Sequence, residues 1–267
     1  NLNYYLPNNN QPAFIIYSSG TTGNPKGIIH THDSITSTTN LHHKILKLNI
    51  GEKIYTTSKL FFAYALGNNF FAPLILGLNS IFNDNSKPYT ISKIIKTHKP
   101  TAIFSVPTMY RRILNNKLEN ISNFKCVKYF ISAGERIPDK LYKEWKTATK
   151  TTLLNCYGTS ETLAIVIASR PNKEKIGSTG KPLSNIITKL LSKNGLTNKK
   201  KGVLLLKNSS FSKEYINNPL KNKSTFQKGW LNTGDIWKIK NNYWYYEGRE
   251  DDLIKVASKW VNPKELE

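Results

Sequence analysis

The sequence predicts an α/β fold, with a mainly parallel sheet followed by a small all-β unit. Three observations carry this. From Phe14 to about Ser184, short apolar β-type runs alternate with helical patterns, the signature of strand–helix–strand units. After Ser184 the helices give way to β-type runs separated by turn pairs such as Asn194-Gly195 and Lys228-Gly229. And 267 residues at 39% hydrophobic and 11% aromatic can bury a sizeable core, which excludes wholesale disorder.

Taken in order, residues 1–13 are polar and Asn-rich and read as a linker. Phe14-Ile15-Ile16-Tyr17 reads as a buried strand, ended by a Ser/Thr/Gly loop over Ser18–Gly27. Thr31 or Asp33 can cap a helix running to about Leu48, with His42 and His43 on its surface. Further strands are expected at Lys53–Thr57, Ser80–Phe82, Thr101–Ser105, Val127–Ser132 and Thr152–Cys156, with helices at Ile91–His98 and Asp139–Thr149. The α/β part then spans 14–184. A β-barrel-like part over 185–247 holds runs at Ile186–Leu191, Gly202–Leu206, Trp230–Ile239 and Tyr243–Glu247. Residues 248–267 look like a hinge and the opening of a further helix.

The charge is +22, from 39 Lys+Arg against 17 Asp+Glu. A basic chain invites a nucleic-acid reading. Two facts oppose it: the lysines are spread from Lys26 to Lys264, and only five of the basic residues are Arg, the preferred base reader. Lys (34), Asn (30) and Ile (27) share A/T-rich codons, so a low-GC genome explains the skew. Cys126 and Cys156 lack metal or redox spacing and read as free thiols in a reducing cytoplasm. The most apolar stretch, Phe70–Leu78, contains Pro73 and is far shorter than the ~20 residues of a membrane span. The chain begins at Asn1, and its one methionine is Met109, so it reads as a piece of a longer protein.

The loop Ser18–Gly27 carries chemistry. Glycines allow close backbone approach, N–H groups and hydroxyls donate to anions, and Lys26 adds a point charge. It is not a Walker A loop, because Pro25 stands where that pattern needs its second Gly. Four further segments stand out: Ala133-Gly134-Glu135, Tyr157-Gly158-Thr159-Ser160-Glu161-Thr162, Gly229-Trp230-Leu231-Asn232-Thr233-Gly234-Asp235, and Gly248-Arg249-Glu250-Asp251-Asp252. In this order, with Tyr17–Gly27, they resemble the signature of the adenylate-forming superfamily, the acyl- and aryl-CoA synthetases. The wording is closest to the benzoate-CoA ligases, through Lys59–Asn68, Ser105–Tyr110, Ser169-Arg170-Pro171 and Trp260-Val261-Asn262-Pro263.

The resemblance implies an incomplete large N-terminal domain of that superfamily. It implies an ATP-dependent acid–thiol ligase that converts a small carboxylate, such as benzoate, to an acyl-adenylate and then an acyl-CoA. Mg²⁺, ATP and coenzyme A come with it. By resemblance, Thr21, Thr22, Gly23 and Lys26 hold the terminal phosphates, and Glu161 binds Mg²⁺. Ser160 meets the α-phosphate, Gly134 and Glu135 belong to the adenine segment, and Tyr157 stacks on the base. Asp235 accepts from the ribose hydroxyls, Arg249 contacts ribose or phosphate, and Asp251 is the hinge residue. The acid pocket would include Ala63, Tyr64, Gly134, Gly158 and Ile165. His30 and His32 follow the phosphate loop and are not expected to ligate metal.

Two departures bear on function. Ser258 stands where the superfamily carries a glycine lining the coenzyme A tunnel, and Ala164 stands where benzoate ligases carry His. The adenylation lysine of the family's C-terminal lid lies beyond this sequence, so the chain alone is expected to be impaired. The competing expectation is a truncated or decayed, non-catalytic nucleotide-binding relative. Oligomeric state is left open.

Overall fold

The computed structural model describes residues 6–18, 25–85, 87–116, 121–192, 195–196, 200–252, 254–256 and 259–261. Its first element is a hairpin. Strand β1 (Pro12–Ser18) pairs antiparallel with β2 (Lys26–Thr31), with Ser18 opposite Lys26. The two ends of the phosphate-type loop therefore emerge side by side, while the loop residues 19–24 lie outside the described set. The expectation of a buried strand at Phe14–Tyr17 is corrected: Ile16 is buried, but Tyr17 is 64% exposed. The cause is alternation in a two-stranded sheet. One face packs Ile16 on Ala63 and Leu163, and the other meets solvent.

Thr31 is the N-cap of α1 (His32–Ser37), whose regular turns stop well before Leu48. A π turn over Leu41–Ile45 follows, closed by Leu46 N–H donating to the Leu41 carbonyl at 3.0 Å. This also corrects the expected surface position of His42. The ring is fully buried, stacked on Phe104 at 5.2 Å, with Nε2 3.0 Å from the Asn68 carbonyl. His43 is exposed as expected.

The main sheet follows. Strand β3 (Lys53–Thr56) leads into α2 (Ala63–Leu66), a second π turn over Gly67–Phe71, and α3 (Ala72–Leu76). Gly77 ends α3 at φ +65°, a conformation glycine adopts without strain. Next come β4 (Asn79–Ile81), α4 (Pro88–His98), β5 (Ala102–Ser105), α5 (Pro107–Asn115), β6 (Tyr129–Ser132), α6 (Asp139–Thr149) and β7 (Leu153–Tyr157). Pro88 and Pro107 sit in the first turns of their helices, where a missing N–H costs nothing. Strands β4, β3, β5, β6 and β7 run parallel in that order, and β8 (Ile167–Ala168) and β9 (Lys181–Pro182) extend the sheet antiparallel. All four residues of β5 are buried, as expected of a parallel strand covered on both faces. One face packs Phe104, Ile131 and Leu154; the other packs an aromatic group of Tyr110, Phe124, Phe130 and Trp145.

The second sheet contains β10 (Ile187–Ser192), β11 (Gly195–Leu196) and β12 (Lys201–Lys207). After α7 (Pro219–Thr225) come β13 (Phe226–Gln227), β14 (Trp230–Lys240) and β15 (Tyr243–Arg249). The order is β11-β10-β12-β14-β13, with β15 on the far part of β14. Asn241 and Asn242 both hold positive φ in the two-residue turn between β14 and β15, the chemistry such hairpins require. Strands β16 (Ile254–Val256) and β17 (Lys259–Val261) pair as a last hairpin. The helix expected to open near the C-terminus falls on 262–267, outside the described residues, as does Ser258. The two sheets are joined by one apolar cluster in which Val166 and Ile167 meet Leu204, Trp237 and Trp244. Among the described residues no helix is long and apolar enough to cross a membrane.

Candidate active site

Between the two sheets lies a cleft of about 720 Å³, a size suited to a small ligand. One wall is the carboxyl edge of the parallel sheet, where β6 and β7 run out into Gly134, Tyr157 and Glu161. Ligands of open α/β sheets bind at this edge. The opposite wall is β14 with the end of β15, carrying Asp235 and Arg249.

Asp235 is the most buried acid of the cleft, at 4% exposure. It faces Arg249 across the β14–β15 ladder, with Arg249 Nη1 3.6 Å from Oδ1. Its Oδ2 accepts from the Tyr157 hydroxyl at 2.5 Å, and its N–H donates to Thr233 Oγ1 at 3.1 Å. Burial pushes its pKa up to about 6, while the Tyr157 hydrogen bond and Arg249 pull it down. Gly234 makes the approach possible. It sits at φ +69°, and a Cβ there would stand 3.2 Å from Arg249 Nη2. Tyr157 packs edge-on against Trp237 at 4.8 Å, and burial then the Asp235 charge hold its hydroxyl protonated.

The other end of the cleft holds Lys26 and Glu161. The turn carrying Glu161 is shaped by Thr162, whose buried hydroxyl accepts from Thr159 N–H at 3.0 Å and donates to the Ala164 carbonyl at 2.9 Å. It is anchored from outside at three points. His30 Nε2 donates to the Ser160 carbonyl at 2.9 Å, Ser212 N–H donates to the Glu161 carbonyl at 2.9 Å, and the Tyr215 hydroxyl donates to Glu161 Oε1 at 2.7 Å. Among the described residues nothing donates to Oε2. Lys26 Nζ stands 5.9 Å from the Tyr215 ring centre. Its pKa is lowered by burial first and then by Lys221, while Glu161 opposes the shift.

Ten expected site residues line this cleft: Lys26, Gly134, Glu135, Tyr157, Gly158, Ser160, Glu161, Asp235, Arg249 and Asp251. Three expected pocket residues do not. Ala63 packs on Ile16 and Leu163, Ile165 lies in the core, and Tyr64 turns its hydroxyl to the carbonyls of Ser105 and Ile131 at 3.3 and 3.4 Å. Thr21, Thr22 and Gly23 fall outside the described residues. Reading the sequence missed Tyr215, Thr233 and Lys221 on the cleft wall, and the tie from His30. Thr233 lay within a recognised motif. Tyr215 and Lys221 belonged to none.

The buried imidazoles give a pH prediction. Burial lowers the pKa of His30 and of His42 to about 4, against a partial pull upward from their carbonyl partners. Below pH 6.5 the unfolded chain protonates these rings while the folded chain resists until about pH 4. The unfolded state then binds more protons, so stability falls on acidification. Each ring contributes a loss of about 2 kcal/mol between pH 7 and pH 5, and Asp235 returns about 1. A net loss of about 2–3 kcal/mol is expected in urea unfolding. Equal midpoints at the two pH values would contradict it.

The profile of the AMP-binding enzyme family matches residues 4–216. The chain belongs to the AMP-binding enzyme family. Among curated AMP-binding relatives it is 33% identical over 260 residues to a 3-hydroxybenzoate–CoA ligase of Aromatoleum sp. strain CIB, covering 96% of this chain and 50% of that protein. It is 32% identical over 261 residues to a benzoate–CoA ligase of Thauera aromatica, with the same coverage. Among solved structures, an anthranilate CoA ligase, AuaEII, in complex with anthranoyl-AMP superposes with TM-score 0.92 at 30% identity, over 100% of this chain and 53% of that one. A benzoate CoA ligase from Burkholderia xenovorans LB400 gives 0.87 at 29%, over 98% and 53%. The expected superfamily and fold class therefore hold. The chain spans about half the length of the curated relatives it matches.

Proposed function

We propose that the protein to which this chain belongs is an ATP-dependent, AMP-forming carboxylate–CoA ligase acting on an aromatic acid such as benzoate or a hydroxybenzoate. The observation that carries the reading is the convergence of Lys26, Glu161, Tyr157, Asp235 and Arg249 on one cleft. The names of the AMP-binding relatives support the substrate class.

The reaction has two steps. A carboxylate oxygen attacks the α-phosphorus of ATP, and the bond to the bridging oxygen of pyrophosphate breaks. The thiol of coenzyme A then attacks the acyl carbon, and AMP leaves with the oxygen of that mixed anhydride. The first step brings anion to anion, so the site must supply positive charge and donors. In our reading Lys26, with Thr21, Thr22 and Gly23, holds the terminal phosphates, and Ser160 meets the α-phosphate. Gly134 and Glu135 border the adenine, Tyr157 presents its ring to the base, and Asp235 accepts from the ribose hydroxyls beside Arg249. Asp235, below its protonation limit near pH 6, loses an acceptor, so nucleotide binding weakens in acid.

ATP arrives as its Mg²⁺ complex. The donor set fits that ion. Among the described residues there is no cluster of three or more His, Cys, Asp or Glu side chains to hold a metal alone. Glu161 instead offers one carboxylate oxygen, and Mg²⁺ is commonly bound by one or two carboxylates with phosphate oxygens and water. The acid pocket, with Gly134 and Gly158 at its cleft side and Ala63, Tyr64 and Ile165 behind, and the hinge at Asp251 are parts of the same proposal. So are the division of the chain near residues 184 and 247 and a cytoplasmic location, which suits the unpaired thiols Cys126 and Cys156.

The test is pyrophosphate release from ATP by the protein at the length of its relatives, across benzoate, hydroxybenzoates, short fatty acids and heterocyclic acids. Release with the aromatic acids, and AMP formation on adding coenzyme A, is expected. ATP binding without release for any acid would favour a non-catalytic nucleotide-binding protein.

A further inference from the structure

We propose that Tyr215 is the positioning residue for Glu161, tying one carboxylate oxygen so that the other is presented to the metal of the bound nucleotide. The proposal rests on the ligase reading above, and it concerns a residue outside every motif that led to that reading.

The hydroxyl's aim is fixed by several independent contacts. The segment 214–216 extends the β1–β2 hairpin: Ile216 N–H donates to the Gly27 carbonyl at 2.8 Å, Ile29 N–H donates to the Glu214 carbonyl at 3.3 Å, and Ile28 bridges Tyr215. Gly27 allows this approach, because a Cβ there would lie 2.4 Å from Ile216 Cγ2. Asn222 brackets the backbone of Tyr215. Its Oδ1 accepts from Tyr215 N–H at 2.6 Å, and its Nδ2 donates to the Tyr215 carbonyl at 2.9 Å. The ring is buried against Phe226 at 5.1 Å between centroids.

Glu161 is held by the same stretch twice, through its carbonyl by Ser212 and through Oε1 by the Tyr215 hydroxyl. A phenol hydroxyl is protonated at neutral pH and donates to the carboxylate, which only accepts. A glutamate with both oxygens free turns about its terminal bond and loses that freedom only when it binds. With Oε1 tied, Oε2 is left for the cleft, where Lys26 also points. The pattern is that of an outer partner orienting a metal-binding carboxylate. Removing such a partner costs roughly 10- to 100-fold in metal affinity.

The experiment measures ATP affinity of the chain with Mg²⁺ and with the metal removed by EDTA, for the unaltered chain, Tyr215→Phe, Glu161→Gln and the double variant. Phe keeps the ring, its packing and its place over Lys26. Expected is an approximately tenfold loss of the Mg²⁺-dependent gain in ATP affinity in Tyr215→Phe. Metal-free affinity and the ligand-free melting curve should stay near those of the unaltered chain. In the Glu161→Gln background the second substitution should change the Mg²⁺ response less than about twofold. A Tyr215→Phe chain that keeps the full Mg²⁺ gain, or loses as much affinity without the metal, overturns the proposal and leaves the ligase reading standing. So does an undiminished effect in the double variant. An unaltered chain with no ATP affinity overturns both.

Discussion

Asp235→Asn is expected to make the ligand-free chain more stable and nearly unable to hold ATP. The buried carboxylate has its pKa raised from 3.8 to about 6, mainly by burial. Between those values the folded state binds more protons than the unfolded one, so ionised Asp235 costs stability that grows from pH 4 to pH 6 and then levels off. The cost at pH 7.5 is on the order of 3 kcal/mol. Asn removes the charge and still accepts from Tyr157. Its melting temperature should rise by roughly 5–10 °C at pH 7.5, with a gain that shrinks toward pH 4. Nucleotide affinity should fall on the order of 100-fold, because two ribose hydroxyls lose a charged acceptor worth roughly 1.5–3 kcal/mol per bond. Calorimetry at the two pH values and an ATP titration measure both. A destabilised variant, or one that binds ATP unchanged, would contradict the account.

Gly158→Ala should instead cost both stability and binding. A Cβ at 158 would stand 2.5 Å from the Ala164 carbonyl oxygen, with Ile165 Cα at 3.4 Å. No side-chain movement relieves a clash with backbone, so the 157–165 loop must shift. The expected loss is roughly 3 kcal/mol in urea unfolding, and ATP affinity should fall with it, because Tyr157 and Glu161 share that loop. Full stability in the Ala variant would mean that the close approach of this loop does not set the site.

Much of this was legible in the sequence because the informative residues stand close together. The turn residues Tyr157–Thr162 and the Asn232–Asp235 stretch within β14 are local, and Asp139–Thr149 is helical over the residues expected. What stayed hidden depends on residues far apart in the chain. Tyr215 reaches Glu161 across 54 positions, and His30 reaches Ser160 across 130. Neither contact leaves a spacing to read. The β1–β2 hairpin was hidden for another reason. Four apolar residues in a row look like a buried parallel strand, and only the pairing partner shows that alternate side chains meet solvent. The π turn over Leu41–Ile45 shifts the periodicity by a residue, and that is how His42 passed for a surface side chain.

The central claim is that this cleft is built for an acyl-adenylate. The most direct measurement is a calorimetric titration of the chain with a non-hydrolysable benzoyl-adenylate analogue, a benzoylsulfamoyl adenosine, alone and in the presence of AMP. The account predicts saturable one-to-one binding that competes with AMP, exceeds AMP in affinity by at least about tenfold, and is lost in Asp235→Asn. No saturable binding, or binding indifferent to both AMP and Asp235, would contradict it.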